Sequence, residues 1–127
     1  MALTLDHINI RTNDVKAVSN TLVRLLKLKE GYRPPFSTDG IWLYGNDYPI
    51  VHLSKRDRAP GDDTGGLDHI AFKDDDYEGL KARLDEDGVE YTDREVPDTG
   101  VRQVFFKISH EIKIEVDFAP ATVGNIE

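Results

Sequence analysis

The sequence predicts an α+β fold built from two tandem βαβββ modules, and three observations carry that reading. The hexapeptide LDHINI at residues 5–10 returns as LDHIAF at residues 67–72, an offset of 62 residues. Apolar residues at helical spacing follow each copy, and three extended segments separated by turn residues follow each helical pattern. With 127 residues and 39% hydrophobic side chains, the chain has the size of one ordinary domain and enough apolar surface to pack it.

The first extended segment of module one is LDHINI itself. Val15, Val18, Leu22, Leu25 and Leu26 then recur at helical spacing, with Asn13 or Asp14 as the N-cap and Gly31 as the breaker. Strands are expected at residues 32–36, 41–44 and 50–53, separated by Asp39-Gly40 and by the turn-forming residues 45–49. Module two repeats the order. Tyr77, Leu80 and Leu84 mark its helix, capped by one of Asp74, Asp75 or Asp76 and closed by Gly88; strands follow at about 90–96, 101–108 and 112–118. Module one covers about residues 3–54, a charged Gly/Asp-rich linker 55–66, module two about 67–118 and a tail 119–127. The run from Asp74 spaces its acids like a calcium loop, but its twelfth position is Asp85 and a strand precedes it, so capping explains the acids better.

Charge and composition exclude several classes. Sixteen basic against 24 acidic residues leave a net charge of −8, a field that repels nucleic-acid phosphates and anionic headgroups. No apolar run approaches the roughly 20 residues of a bilayer span, and the start MALTLDHINI lacks the pattern of a signal peptide. Without cysteine there is no disulfide, thiolate zinc cluster or cysteine nucleophile, and a cytoplasmic location is the expectation. There is no GxGxxG, phosphate loop or GxSxG elbow.

Side-chain alternation sorts the strands into two faces. Ile8 and Ile10, Ile70 and Phe72, Val51 and Leu53, and Ile114, Val116 and Phe118 form the apolar face. His7, His52, His69 and Glu115 fall on the other, each on the first or last strand of its module. Any one of these histidines taken alone reads as an ordinary polar residue on a solvated sheet. Together, at repeat-equivalent positions, three imidazoles and a carboxylate suit a divalent transition metal. His110, in the turn before the last strand, is expected to be an exposed loop histidine. By parity and composition the candidate substrate contacts are Asn9, Arg11, Trp42, Tyr44 and Arg102. Arg11 is suited to a carboxylate or phosphate, and Trp42 with Tyr44 to an aromatic wall.

Paired βαβββ modules with DHI on the first strand of each half, VHL on the fourth and KIEV on the eighth resemble the vicinal oxygen chelate superfamily. That group includes glyoxalase I, methylmalonyl-CoA epimerase, fosfomycin-resistance enzymes, extradiol dioxygenases and bleomycin-resistance proteins. The resemblance spans about residues 3–118 and implies an open, curved mixed sheet around a metal-binding cleft. It places metal ligands at His7, His52, His69 and Glu115. One divalent metal per site is implied, Fe, Mn, Ni, Co or Zn, and His52 and Glu115 are the implied catalytic residues. It further implies a homodimer, with each site lying within one chain or shared between two. His52 stands where glyoxalase I typically has glutamate, the turn before the last strand departs from the acidic-Pro-x-Gly of relatives, and the first-helix aromatic pair is Thr21-Leu22, so the substrate is not inherited by name.

Four protein ligands on an octahedral metal leave two adjacent positions, suited to a small substrate with two neighbouring oxygens and to lyase or isomerase chemistry. If His52 does not bind, His7, His69 and Glu115 form a 2-His-1-carboxylate triad suited to Fe(II) and dioxygen, with His52 as acid or base. The competing class is a metal-free small-molecule or drug-binding protein of the bleomycin-resistance type. A structural or regulatory partner is the third.

Overall fold

The residues that start each helix are written into the chain just after its first strand. In the computed structural model, which describes residues 2–121, strand β1 (Ile8–Thr12) ends at Thr12, whose hydroxyl accepts from the Asp14 amide at 3.1 Å. Asp14 then caps α1 (Val15–Leu26) by accepting from the Ala17 amide at 3.0 Å. In module two, strand β5 (Ile70–Lys73) leads to Asp76, which accepts from the Gly79 amide at 3.0 Å and caps α2 (Tyr77–Glu86). Gly79 leaves room for that cap, since a Cβ would lie 2.0 Å from the Asp76 carboxylate as it is placed and would push it aside.

Three strands follow each helix: β2 (Lys29–Gly31), β3 (Gly40–Gly45) and β4 (Tyr48–Lys55), then β6 (Tyr91–Glu95), β7 (Arg102–Ile108) and β8 (Ile112–Phe118). The βαβββ order is therefore present twice, as expected. One strand differs from expectation. Residues 32–36 are irregular, and β2 forms earlier, because Pro34 and Pro35 have no amide N–H to donate to a ladder. Gly31 is likewise not the helix breaker. Lys27 takes the left-handed conformation at the end of α1, and Gly31 lies in β2, where a Cβ would meet the Tyr44 ring at 2.7 Å. Gly88, with φ +69°, does close the second helix. Asn46 and Asp47, both with positive φ, form the tight β3–β4 turn.

The chain divides into two compact units between Pro60 and Gly61. Each unit holds one four-stranded mixed sheet, in the order β1-β4-β3-β2 in the first and β5-β8-β7-β6 in the second. The first and last strands of each module pair in parallel, and the other neighbours are antiparallel. In unit one, Val18, Leu22 and Leu25 of α1 are buried, as are Ile10, Leu43, Val51 and Leu53 of the sheet. In unit two, Leu80 and Leu84 of α2 are buried, with Val104, Phe106, Ile114, Val116 and Phe118. No helix among the described residues is long and apolar enough to cross a membrane. Residues 122–127 of the expected tail lie outside the described residues.

Candidate metal centre

Parallel pairing of first and last strands brings the expected donors together within each module. Asn9 is in register with His52 and Ala71 with Glu115. His7 and His69 each precede their strand by one residue, two positions before Asn9 and Ala71 and so on the same face.

In module two the result is a hydrogen-bonded chain of side chains. His69 Nδ1 lies 2.8 Å from Asp68 Oδ2, and His69 Nε2 lies 2.9 Å from Glu115 Oε1. The second oxygen of Glu115 accepts from Gln103 Nε2 at 3.0 Å, and Lys113 Nζ donates to Asp68 at 3.2 Å. Glu115 is buried, and burial, then its neighbour Asp117, pushes its carboxyl above the usual range, while His69 and Gln103 act in the opposite direction. A cleft of about 980 Å³ opens over this face, lined in part by His69, Arg94, Phe105, Lys107, Lys113 and Glu115. His110 is exposed, as expected, with φ +64°, and also lines the cleft.

Module one uses the same Asp–His device with different neighbours. His7 Nδ1 lies 2.7 Å from Asp6 Oδ2, and the Tyr48 hydroxyl donates to the other Asp6 oxygen. These bonds, His7 first, hold the Asp6 carboxyl below its ordinary range. The His7 and His52 rings stack at 3.8 Å with 11° between their planes, and Trp42 stacks on the other side of His52 at 3.9 Å and 15°. His52 Nε2 lies 3.1 Å from the Pro49 carbonyl. Burial, then the charge on His7, holds the His52 imidazole below its ordinary value.

The two pairs differ in how they meet the demands of a metal. Two ligands about 2.1 Å from one ion at a right angle stand about 3.0 Å apart. His69 Nε2 and Glu115 Oε1, at 2.9 Å, have that separation, and their remaining polar atoms are already engaged. Stacked imidazoles keep their in-plane lone pairs in two nearly parallel, separate planes. His7 and His52 therefore do not aim two nitrogens at one point in this rotamer, and one ring would have to turn. No group of three or more His, Cys, Asp or Glu suited to a metal forms among the described residues.

The other expected contacts separate by face. Trp42 and Tyr44 share the His52 face. Trp42 joins the stack, whereas the Tyr44 hydroxyl donates to the Tyr32 carbonyl at 2.6 Å. Asn9 is on that face and bonds Ser54 at 3.2 Å; Arg11 is exposed on it. Arg102 lies on the opposite face of its sheet, with its guanidinium 4.1 Å from the Tyr77 ring of α2. Sequence reasoning passes over Asp6, Asp68 and Gln103. The first two had a signal, an aspartate before the histidine in both copies of the repeat.

Solved structures resemble the whole chain. A mutant of the genomically encoded fosfomycin resistance protein FosX from Listeria monocytogenes, complexed with Mn(II) and 1S,2S-dihydroxypropylphosphonic acid, matches with a TM-score of 0.76 at 17% identity, covering 99% of this chain and 98% of that one. A glyoxylase/bleomycin resistance protein/dioxygenase domain from Frankia sp. EAN1pec gives 0.77 at 21% identity, covering 94% and 99%. The glyoxalase family protein from Enterococcus faecalis gives 0.68 at 24%, covering 90% and 96%. No curated protein matches the sequence. The model of one family matches residues 4–116, and the chain belongs to that family, the Glyoxalase/Bleomycin resistance protein/Dioxygenase superfamily.

Proposed function

We propose that this protein is a divalent-metal-dependent enzyme acting on a small substrate with two adjacent oxygens, by lyase, isomerase or dioxygenase chemistry. The observation that carries the reading is the His69–Glu115 pair, 2.9 Å apart with Asp68 and Gln103 holding its far atoms. The Listeria protein's complex with Mn(II) supports a divalent ion in a protein of this fold. Such an ion, when bound, stabilises negative charge developing on substrate oxygens.

In this reading His69 and Glu115 are ligands from module two and His7 from module one, with Asp6 and Asp68 engaging Nδ1 of each imidazole and leaving Nε2 as the nitrogen for a metal. His52, kept neutral by burial and His7 and backed by Trp42, is suited to accept a proton from substrate; turned out of the stack, it is the fourth ligand. Two of the four proposed donors come from each module, so the proposed set draws on both kinds of module, from one chain or from two copies in a homodimer.

Anaerobic reconstitution with Fe(II), Mn(II), Ni(II), Co(II) and Zn(II), followed by elemental analysis and light scattering, tests this. One equivalent per site is expected in wild type and loss of tight binding in Glu115→Gln. Binding that weakens in His52→Ala identifies a four-ligand centre, and unchanged binding there the open triad. Wild-type protein that takes up no metal would overturn the proposal and leave a small-molecule binding protein.

A further inference from the structure

The two modules differ most informatively at a pair of arginines. Gly31 is in register with Trp42 as Thr92 is with Phe105, so Arg33 and Arg94, two residues further on, occupy equivalent places. Their cross-strand neighbours are Gly40 and Gln103, equivalent in turn because they face Ser54 and Asp117. Arg94 is pinned. Its Nε donates to Gln103 Oε1 at 2.8 Å, and its guanidinium lies 5.3 Å from the Phe105 ring.

Arg33 has no such acceptor, because position 40 has no side chain. A Cβ there would stand 2.7 Å from Arg33 Nη2 and 2.4 Å from the Leu53 carbonyl oxygen. The guanidinium lies across this gap, 5.0 Å from the Phe36 ring, and its Nε is buried without a hydrogen-bond partner among the described residues. Buried donors are nearly always satisfied, so this N–H is open to an acceptor from outside the chain, a water or a ligand group. Phe36 packs against Trp42 at 6.2 Å, and Trp42 stacks on His52, so Arg33 adjoins the His7–His52 face.

We propose that Arg33 is an oxyanion-binding residue of module one, taking a carboxylate or phosphoryl group of the substrate beside Trp42 and His52. A guanidinium edge presents Nε and one Nη as a fork matched to two oxygens of such a group. Phe36, 54% exposed, lies beside the guanidinium at the solvent boundary of this face. The net charge of −8 repels anions at long range, so the local positive charge of Arg33, which has no carboxylate partner among the described residues, is what an anionic group would need on this face. The assignment deepens the enzyme reading above and rests on it for the word substrate alone.

Trp42 is the single tryptophan, so its emission reports on this site directly. Metal-free protein, stripped with chelator and dialysed, is titrated with inorganic phosphate and separately with acetate, at ionic strength held constant with chloride. Trp42 emission and the NMR resonance of Arg33 Nε–H are followed. A saturable change in both is expected, with affinity at least tenfold weaker in Arg33→Gln, severalfold weaker in Arg33→Lys, and unchanged in Arg58→Gln, a charge control in the linker. Tighter phosphate than acetate identifies a phosphoryl group, and the reverse a carboxylate. No saturable response at Arg33 to either anion, or wild-type affinity in Arg33→Gln, overturns the assignment. If Arg33→Gln fails to fold by circular dichroism, wild-type affinity in Arg33→Lys does so instead. With no metal in the titration, its failure and a failure of metal binding are separate results.

Discussion

Replacing Gln103 with alanine isolates the device that holds Glu115 ready. Gln103 Nε2 donates to one Glu115 oxygen at 3.0 Å, which leaves the other turned to His69 at 2.9 Å. Removing the amide costs a hydrogen bond to a charged group, about 1.5–3 kcal/mol. Loss of an outer partner of a metal ligand weakens metal affinity about 10–100-fold, which is about 1.4–2.8 kcal/mol, so the two measures agree. The pH dependence carries a sign. Gln103 draws the Glu115 carboxyl downward against burial and Asp117, so its removal lifts that carboxyl further. An ion must displace the proton, and the affinity deficit of Gln103→Ala should therefore widen as pH falls. Competition against a chelator across a pH series measures this. Affinity equal to wild type, or a deficit that does not change with pH, would refute the positioning role.

Glu115→Gln should abolish tight metal binding while stabilising the metal-free fold at neutral pH. The carboxyl of the folded state titrates above its ordinary 4.5, so the native state holds the extra proton in that window, stability falls as pH rises through it, and the charged form above it is a standing penalty that glutamine removes. Urea midpoints against pH test this; a less stable variant at neutral pH contradicts it. His52 should quench Trp42 as it protonates, with a midpoint below 6.5 in metal-free protein, since burial and His7 disfavour its charged form; a midpoint at or above 6.5 counts against the stacked pair. Gly40→Ala should destabilise by about 1–3 kcal/mol or more in chemical denaturation, because its Cβ would meet the Leu53 carbonyl, which is backbone and cannot yield cheaply. Unchanged stability would mean that β3 and β4 are not packed as described.

Much of this architecture was legible because it is written twice. The repeated LDHI tetrapeptide, the helical spacing that follows it, and strict alternation in INIRT and IKIEVDF make both helices and both sheet faces readable, with His7 and His69 just ahead of their strands. Where alternation blurs, reading by parity loses its grip. In β7, RQVFFKI, the adjacent Phe105 and Phe106 obscure which face is polar, and so Arg102 was favoured although it is Gln103 that faces Glu115. Residues 32–36 carry aromatic residues suited to a strand, but two consecutive prolines decide against one. The role of Arg33 had no local signal, because it depends on an absent side chain across the strand at Gly40.

The donor pairs join residues far apart in sequence, 45 positions for His7 and His52 and 46 for His69 and Glu115. Each pair depends on the parallel pairing of the first strand of a module with its last. During synthesis, a module still lacking its closing strand therefore has its first-strand histidine without the partner that the closing strand supplies. Contacts of such long sequence separation are also among the slowest to form once the chain is complete. Each pair is thus completed late, and in the proposed centre a truncated chain would lack the second donor of either.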